Sequence, residues 1–90
     1  MRTLTKNISE KLSVELIEII WDFYEEKYIG ITMDDYQFFK ISTNDESTTL
    51  KMWQEIPKAV KVKKIPQFPD NEVWIIKDGE IETMLFPEDY

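Results

Sequence analysis

Ninety residues make one domain near the lower limit of what folds without staples, and a hydrophobic content of 42% with 13% aromatics excludes wholesale disorder. The absence of cysteine excludes a disulfide framework and thiolate metal sites, and the absence of histidine removes the usual general base and the commonest transition-metal ligand. A net charge of −7 argues against direct nucleic-acid binding.

The first twelve residues are short and mixed. Thr3, Leu4 and Thr5 suit a brief strand, and Ile8 and Leu12 suit a place beneath the helix that follows. Met1 to Lys6 has no apolar signal core, and no later run is long enough to span a bilayer, so a soluble, cytoplasmic chain without membrane contact is expected.

Helical periodicity is sustained in one stretch only, and it predicts a helix over 14–29. Ile17, Ile20, Trp21, Tyr24 and Tyr28 recur three or four apart and share a face, which Leu16 and Phe23 widen. Glu15, Glu18, Asp22, Glu25 and Glu26 lie off that stripe. Ser13 stands where an N-cap is usual, and Gly30 where a left-handed C-terminal cap is usual.

Tyr36 to Thr43 is rich in strand formers, with Phe39 and Ile41 on one face and Tyr36 and Phe38 on the other, as in an inner strand. Asn44 to Ser47 is a turn cluster. Thr48 to Glu55 alternates again, with Leu50 and Met52 opposite Thr49, Lys51 and Trp53. Ile56-Pro57 ends that strand, because proline lacks a ladder donor. Lys58 to Ile65 alternates valine with lysine between two prolines, which suits a solvent-facing edge strand guarded by charge. Val73 to Ile76 and Ile81 to Leu85 flank Asp78-Gly79, a pair that favours a type I′ hairpin turn.

One helix with about four or five mostly hairpin-connected strands predicts an α+β fold in two layers, an antiparallel sheet with the helix across one face. No linker, repeat or low-complexity tract divides residues 1–90.

Several stretches resemble domain-of-unknown-function family 960, small proteins of Firmicutes and their phages. The likeness lies in Arg2 to Lys6, in Glu15-Leu16 leading to Trp21, and in Asp35-Tyr36-Gln37-Phe38-Phe39. It continues through Gln54-Glu55-Ile56-Pro57 and the ending from Asp78-Gly79-Glu80 to Thr83 through Tyr90. The resemblance implies a compact bacterial or phage cytoplasmic domain. That family has no assigned activity, so no functional residue is carried over.

Four features compete for a role. The acidic helix face is either a solvated surface or a phosphate-like stripe that competes for a DNA-binding protein. Asp34-Asp35 and Asp45-Glu46 suit turns or caps better than calcium or magnesium sites, since neither sits in a ligand ladder. Lys58, Lys61, Lys63 and Lys64 form the one basic cluster, either an edge guard or a contact for an anionic partner. Trp53 shares its face with Lys51 and Glu55 and is expected on the sheet surface opposite the helix; the face of Trp74 is not legible from pattern. Either the two tryptophans make an exposed patch that marks an interaction site, or they pack inward or beneath Phe68 and Phe86.

The expectation is a non-enzymatic protein-interaction module without cofactor. Its partner is another protein or a second copy of the chain, met through Trp53, Trp74 or the lysines. An acidic inhibitor or nucleic-acid mimic is the alternative, and a small enzyme comes third.

Overall fold

The computed structural model describes all residues from Met1 to Tyr90. Two helices begin on hydroxyl caps. The Thr5 hydroxyl accepts from the Ile8 N–H ahead of α1 (Lys6–Lys11), and Ser13 Oγ accepts from the Leu16 N–H at 3.2 Å ahead of α2 (Val14–Glu26). Leu16, Ile17, Ile20, Trp21, Phe23 and Tyr24 of α2 are buried, while Glu15, Glu18, Asp22, Glu25 and Glu26 are exposed.

Helix α2 stops earlier than the expected residue 29. Lys27 turns to φ 58°, ψ −170° and serves as the C-cap, and Gly30 takes positive φ in the connection beyond. The cause is tertiary. Lys61 Nζ donates to the Lys27 carbonyl at 3.0 Å, and Tyr28, released from the helix, donates its hydroxyl to buried Gln37 at 2.7 Å. The last turn has no basic residue of its own, so a strand lysine supplies the cation favoured there.

The sheet has six strands, one more than the upper expectation: β1 (Arg2–Leu4), β2 (Tyr36–Thr43), β3 (Thr48–Gln54), β4 (Ala59–Ile65), β5 (Asn71–Asp78) and β6 (Ile81–Leu85). Their spatial order is β1-β6-β5-β2-β3-β4. Strands β2, β3 and β4 form a meander, β5 returns to the other side of β2, and β6 folds back along β5. The sheet is not wholly antiparallel, because β1 runs parallel to β6 and pairs Thr3 with Thr83. The brief strand expected over Thr3 to Thr5 forms one residue earlier, on the otherwise free edge of β6.

Asp78 faces Ile81 across the terminal hairpin, leaving Gly79 and Glu80 as its two-residue loop. Gly79 has φ 61°, but Glu80 is not among the positive-φ residues. The turn therefore follows the II′ pattern, with glycine first, instead of the expected I′.

Both helices lie on one face of the sheet. The core between the layers takes Ile8, Ile20 and Phe23 from the helices and Phe39, Leu50 and Ile75 from the strands. Gln37 and Gln54 are also fully buried on this face, and every buried side-chain polar atom has a partner. After β6 a single 3-10 turn, Pro87–Asp89, is fastened by Asp89, which accepts from Thr5 Oγ1, Asn7 Nδ2 and the Phe86 N–H. Tyr90 follows it.

Candidate protein-docking surface

Strand register aligns side chains into rows, since residues directly opposite share a face. Val60 faces Trp53, Trp53 faces Phe38, Phe38 faces Trp74, and Trp74 faces Leu85. This row crosses five strands on the side away from the helices, about 19 Å at the usual strand spacing. Phe38 is its centre, with ring centroids 5.5 Å from Trp53 and 5.2 Å from Trp74.

The row is held in place from its margins. Lys51 Nζ lies 5.0 Å above the Trp53 ring, and the Trp74 indole N–H donates to Glu72 at 3.2 Å. Tyr90 packs 5.4 Å from Trp74, and its hydroxyl meets that of Tyr36 at 3.0 Å. Phe86 lies in the core and Phe68 packs against it, so the expected shields for the tryptophans are elsewhere. Trp53 and Trp74 are both half-buried, and Val60 and Val62 are 58% and 59% exposed.

The lysines do not form one patch. Ala59 pairs with Gln54 on the inner side, which sets the phase of β4 and turns Lys61 and Lys63 toward the helices. Lys61 Nζ reaches Glu26 at 3.3 Å and Lys63 Nζ reaches it at 2.9 Å, with both ammoniums above the Phe23 ring at 5.4 and 5.2 Å. Their stems cover apolar surface while their heads stay wet. The Lys63 contact, followed by that of Lys61, holds the Glu26 carboxyl below the ordinary range. Lys64 faces Thr49 on the outer side, and Lys58 lies in the turn beside Trp53. The strand is the edge expected, but its lysines are divided: Lys61 and Lys63 guard the helix side, while the outer side carries Val60 and Val62 beside exposed Lys64.

The acidic face of α2 is also partly engaged. Arg2 pairs with Glu25 and stacks 4.7 Å from the Trp21 ring, while Glu26 serves the two lysines. Of the five carboxylates in the proposed stripe, Glu15, Glu18 and Asp22 have no ion pair.

Surface hollows are small, and the most apolar one, about 280 Å³, lies at the start of β4 between Tyr28, Ile29, Ile31, Ala59, Val60 and Lys61. Sequence reasoning did not single out Phe38, Val60, Val62 or Tyr90. Phe38 was already in phase with Tyr36 on the outer face, but only the pairing of β2 with both β3 and β5 places it between two tryptophans.

The fold and this surface define a two-layer α+β protein with helices on one sheet face and an aromatic row on the other. The chain belongs to domain-of-unknown-function family 960, whose model, described as a staphylococcal protein of unknown function, matches residues 1–89. A crystal structure of a protein of unknown function from Enterococcus faecalis is similar with a TM-score of 0.85 at 22% identity, over 99% of this chain and 89% of that one. At that identity the likeness speaks to the fold. A search of curated proteins gives no match. No helix is long and apolar enough to cross a membrane.

Proposed function

We propose that the chain is a non-enzymatic interaction module that docks a protein on its outer sheet face. The observation that carries this reading is the Trp53–Phe38–Trp74 row on a face that no helix covers. Aromatic side chains, tryptophan above all, dominate binding energy at protein interfaces. The face supports this reading better than the helix supports mimicry, because Glu25 and Glu26 are already neutralised within the chain.

A photo-crosslinking side chain placed at Val62 on the outer face, and separately at Glu18 on α2, tests the reading in host cells. Discrete crosslinked protein species are expected from position 62, absent from position 18, and lost when Trp53→Ser and Trp74→Ser are combined in a variant whose circular dichroism matches wild type. Identical crosslinks from both faces, or crosslinks that survive the double substitution, overturn it.

A further inference from the structure

Strand β4 ends the sheet and pairs only with β3, so one side of its seven residues presents a row of free N–H and C=O groups about 20 Å long. Such an edge is a template for an added strand, and natural proteins usually guard it. Here the guard is divided: the phase of β4 turns Lys61 and Lys63 to the helix side, where both meet Glu26, and leaves Val60 and Val62 on the outer side with Lys64 beyond them. The hollow at the start of β4 adjoins the same edge, with Ile29 97% exposed and Ile31 37% exposed.

We infer that the β4 edge accepts an extended peptide strand from an acidic partner, one in which carboxylates alternate with aliphatic side chains. The inference rests on the protein-docking reading above and specifies the partner's chemistry. A strand added to β4 has two faces, as β4 does. On the outer side its side chains lie against Val60 and Val62, which calls for aliphatic residues. On the helix side they lie beside Lys61 and Lys63, two ammoniums sharing the single Glu26 carboxylate, which calls for carboxylates. Lys58 and Lys64 add to this field, and no acidic residue occurs from Lys58 to Ile65.

The same charges disfavour a second copy. Antiparallel pairing of β4 with itself sets Lys61 and Lys63 of one chain against those of the other, and like charges directly opposed across strands destabilise the pair. A single-stranded nucleic acid brings negative charge but no backbone complement to the free N–H and C=O row.

The test uses the wild-type protein labelled with nitrogen-15 and an eight-residue peptide alternating glutamate and valine. Peptides carrying lysine or glutamine in place of glutamate, and an oligothymidylate, serve as comparisons. The glutamate peptide is expected to shift the amide resonances of Ala59 to Ile65, to slow exchange of the outward amides, and to bind about tenfold more tightly than the lysine peptide. Lys61→Gln combined with Lys63→Gln is expected to erase that preference while leaving the glutamine peptide's affinity unchanged. Equal affinities for the glutamate and lysine peptides overturn the inference. So do β4 amides protected by concentration alone, which would signal a second copy, and β4 shifts produced by oligothymidylate and not by peptide. A lost peptide response with the position-62 crosslinks intact strikes this inference alone; loss of the crosslinks strikes the docking reading.

Discussion

Gln37 Nε2 donates to Gln54 Oε1 at 2.6 Å, joining β2 to β3 inside the core. The pair also fastens the chain between α2 and β2. Gln54 accepts from the Asp34 N–H at 2.8 Å and donates to the carbonyls of Thr32 and Pro57 at 2.9 and 2.7 Å. Gln37 donates to the Asp34 carbonyl at 2.9 Å. Gln54→Leu keeps the bulk but leaves these backbone groups without their partner, each orphan costing about 1–3 kcal/mol. A loss of at least about 2 kcal/mol is expected, with faster exchange of the Asp34 amide. A urea midpoint within error of wild type would refute the role given to the pair.

The two faces of α2 differ in what they tolerate. Ile20 is fully buried, so Ile20→Asp loses about 2–5 kcal/mol through truncation alone, before the cost of an unpaired charge. That rivals the whole stability of a 90-residue domain, about 5–13 kcal/mol, and the variant is expected to be unfolded. Glu18→Ala, on the exposed face, is expected to change stability by less than about 0.5 kcal/mol. Circular dichroism during urea titration separates the two, and matching midpoints would refute the face assignment.

Lys27 and Gly79 make opposite predictions from the same backbone argument. Lys27 adopts φ 58° with ψ −170°, a region open essentially to glycine alone. Lys27→Gly removes that strain and is expected to raise stability by about 1 kcal/mol. Gly79 has φ 61°, with no atom within 4 Å of where a Cβ would stand. Gly79→Val therefore meets no clash with neighbours, and its expected loss of about 1–2 kcal/mol is a backbone cost. Thermal melts that shift the same way for both variants would contradict the argument.

Alkaline pH reports on the tyrosines packed under α2. Burial pushes the Tyr28 hydroxyl from 10.0 up to about 12, and burial followed by the Glu82 contact raises Tyr24 as well. A raised pKa means that the folded state keeps its protons longer than the unfolded chain. Its stabilising contribution is complete below pH 10 and falls as pH rises from there through the folded pKa. Tyrosinate absorbance is expected to show Tyr24 and Tyr28 ionising in step with unfolding. Tyr28→Phe removes its share of the slope.

Much of this was legible where a period repeats often enough. The stripe of α2 spans several turns, and the alternation of β2 and β3 assigns Phe39, Ile41, Leu50 and Met52 to one face and Trp53 to the other. Alternation does not say which face of an isolated strand meets the helices. In β4 the valine–lysine alternation suits an edge strand but does not say which set faces the helices; Ala59 opposite Gln54 decides it, turning Lys61 and Lys63 inward and Val60 and Val62 outward. Trp74 was illegible for a related reason: Val73, Ile75 and Ile76 put apolar residues on both faces, and only pairing with Phe38 decides the matter. Gln37 and Gln54 sit in phase with core residues, a polar break in an apolar row that could have marked the buried network.

The parallel pairing of β1 with β6 has a consequence for how the molecule is made. Strand β1 pairs with β6 alone, so the first of the six strands in chain order waits for the last of them. The helices and the β2–β3–β4 meander can gather while the chain grows, but β1 stays unpaired and the core lacks Met84 until β6 is released. A nascent chain stalled before Leu85 therefore carries an open β5 edge and a loose amino-terminal segment. Those exposed surfaces are of the kind that chaperones and proteases act upon.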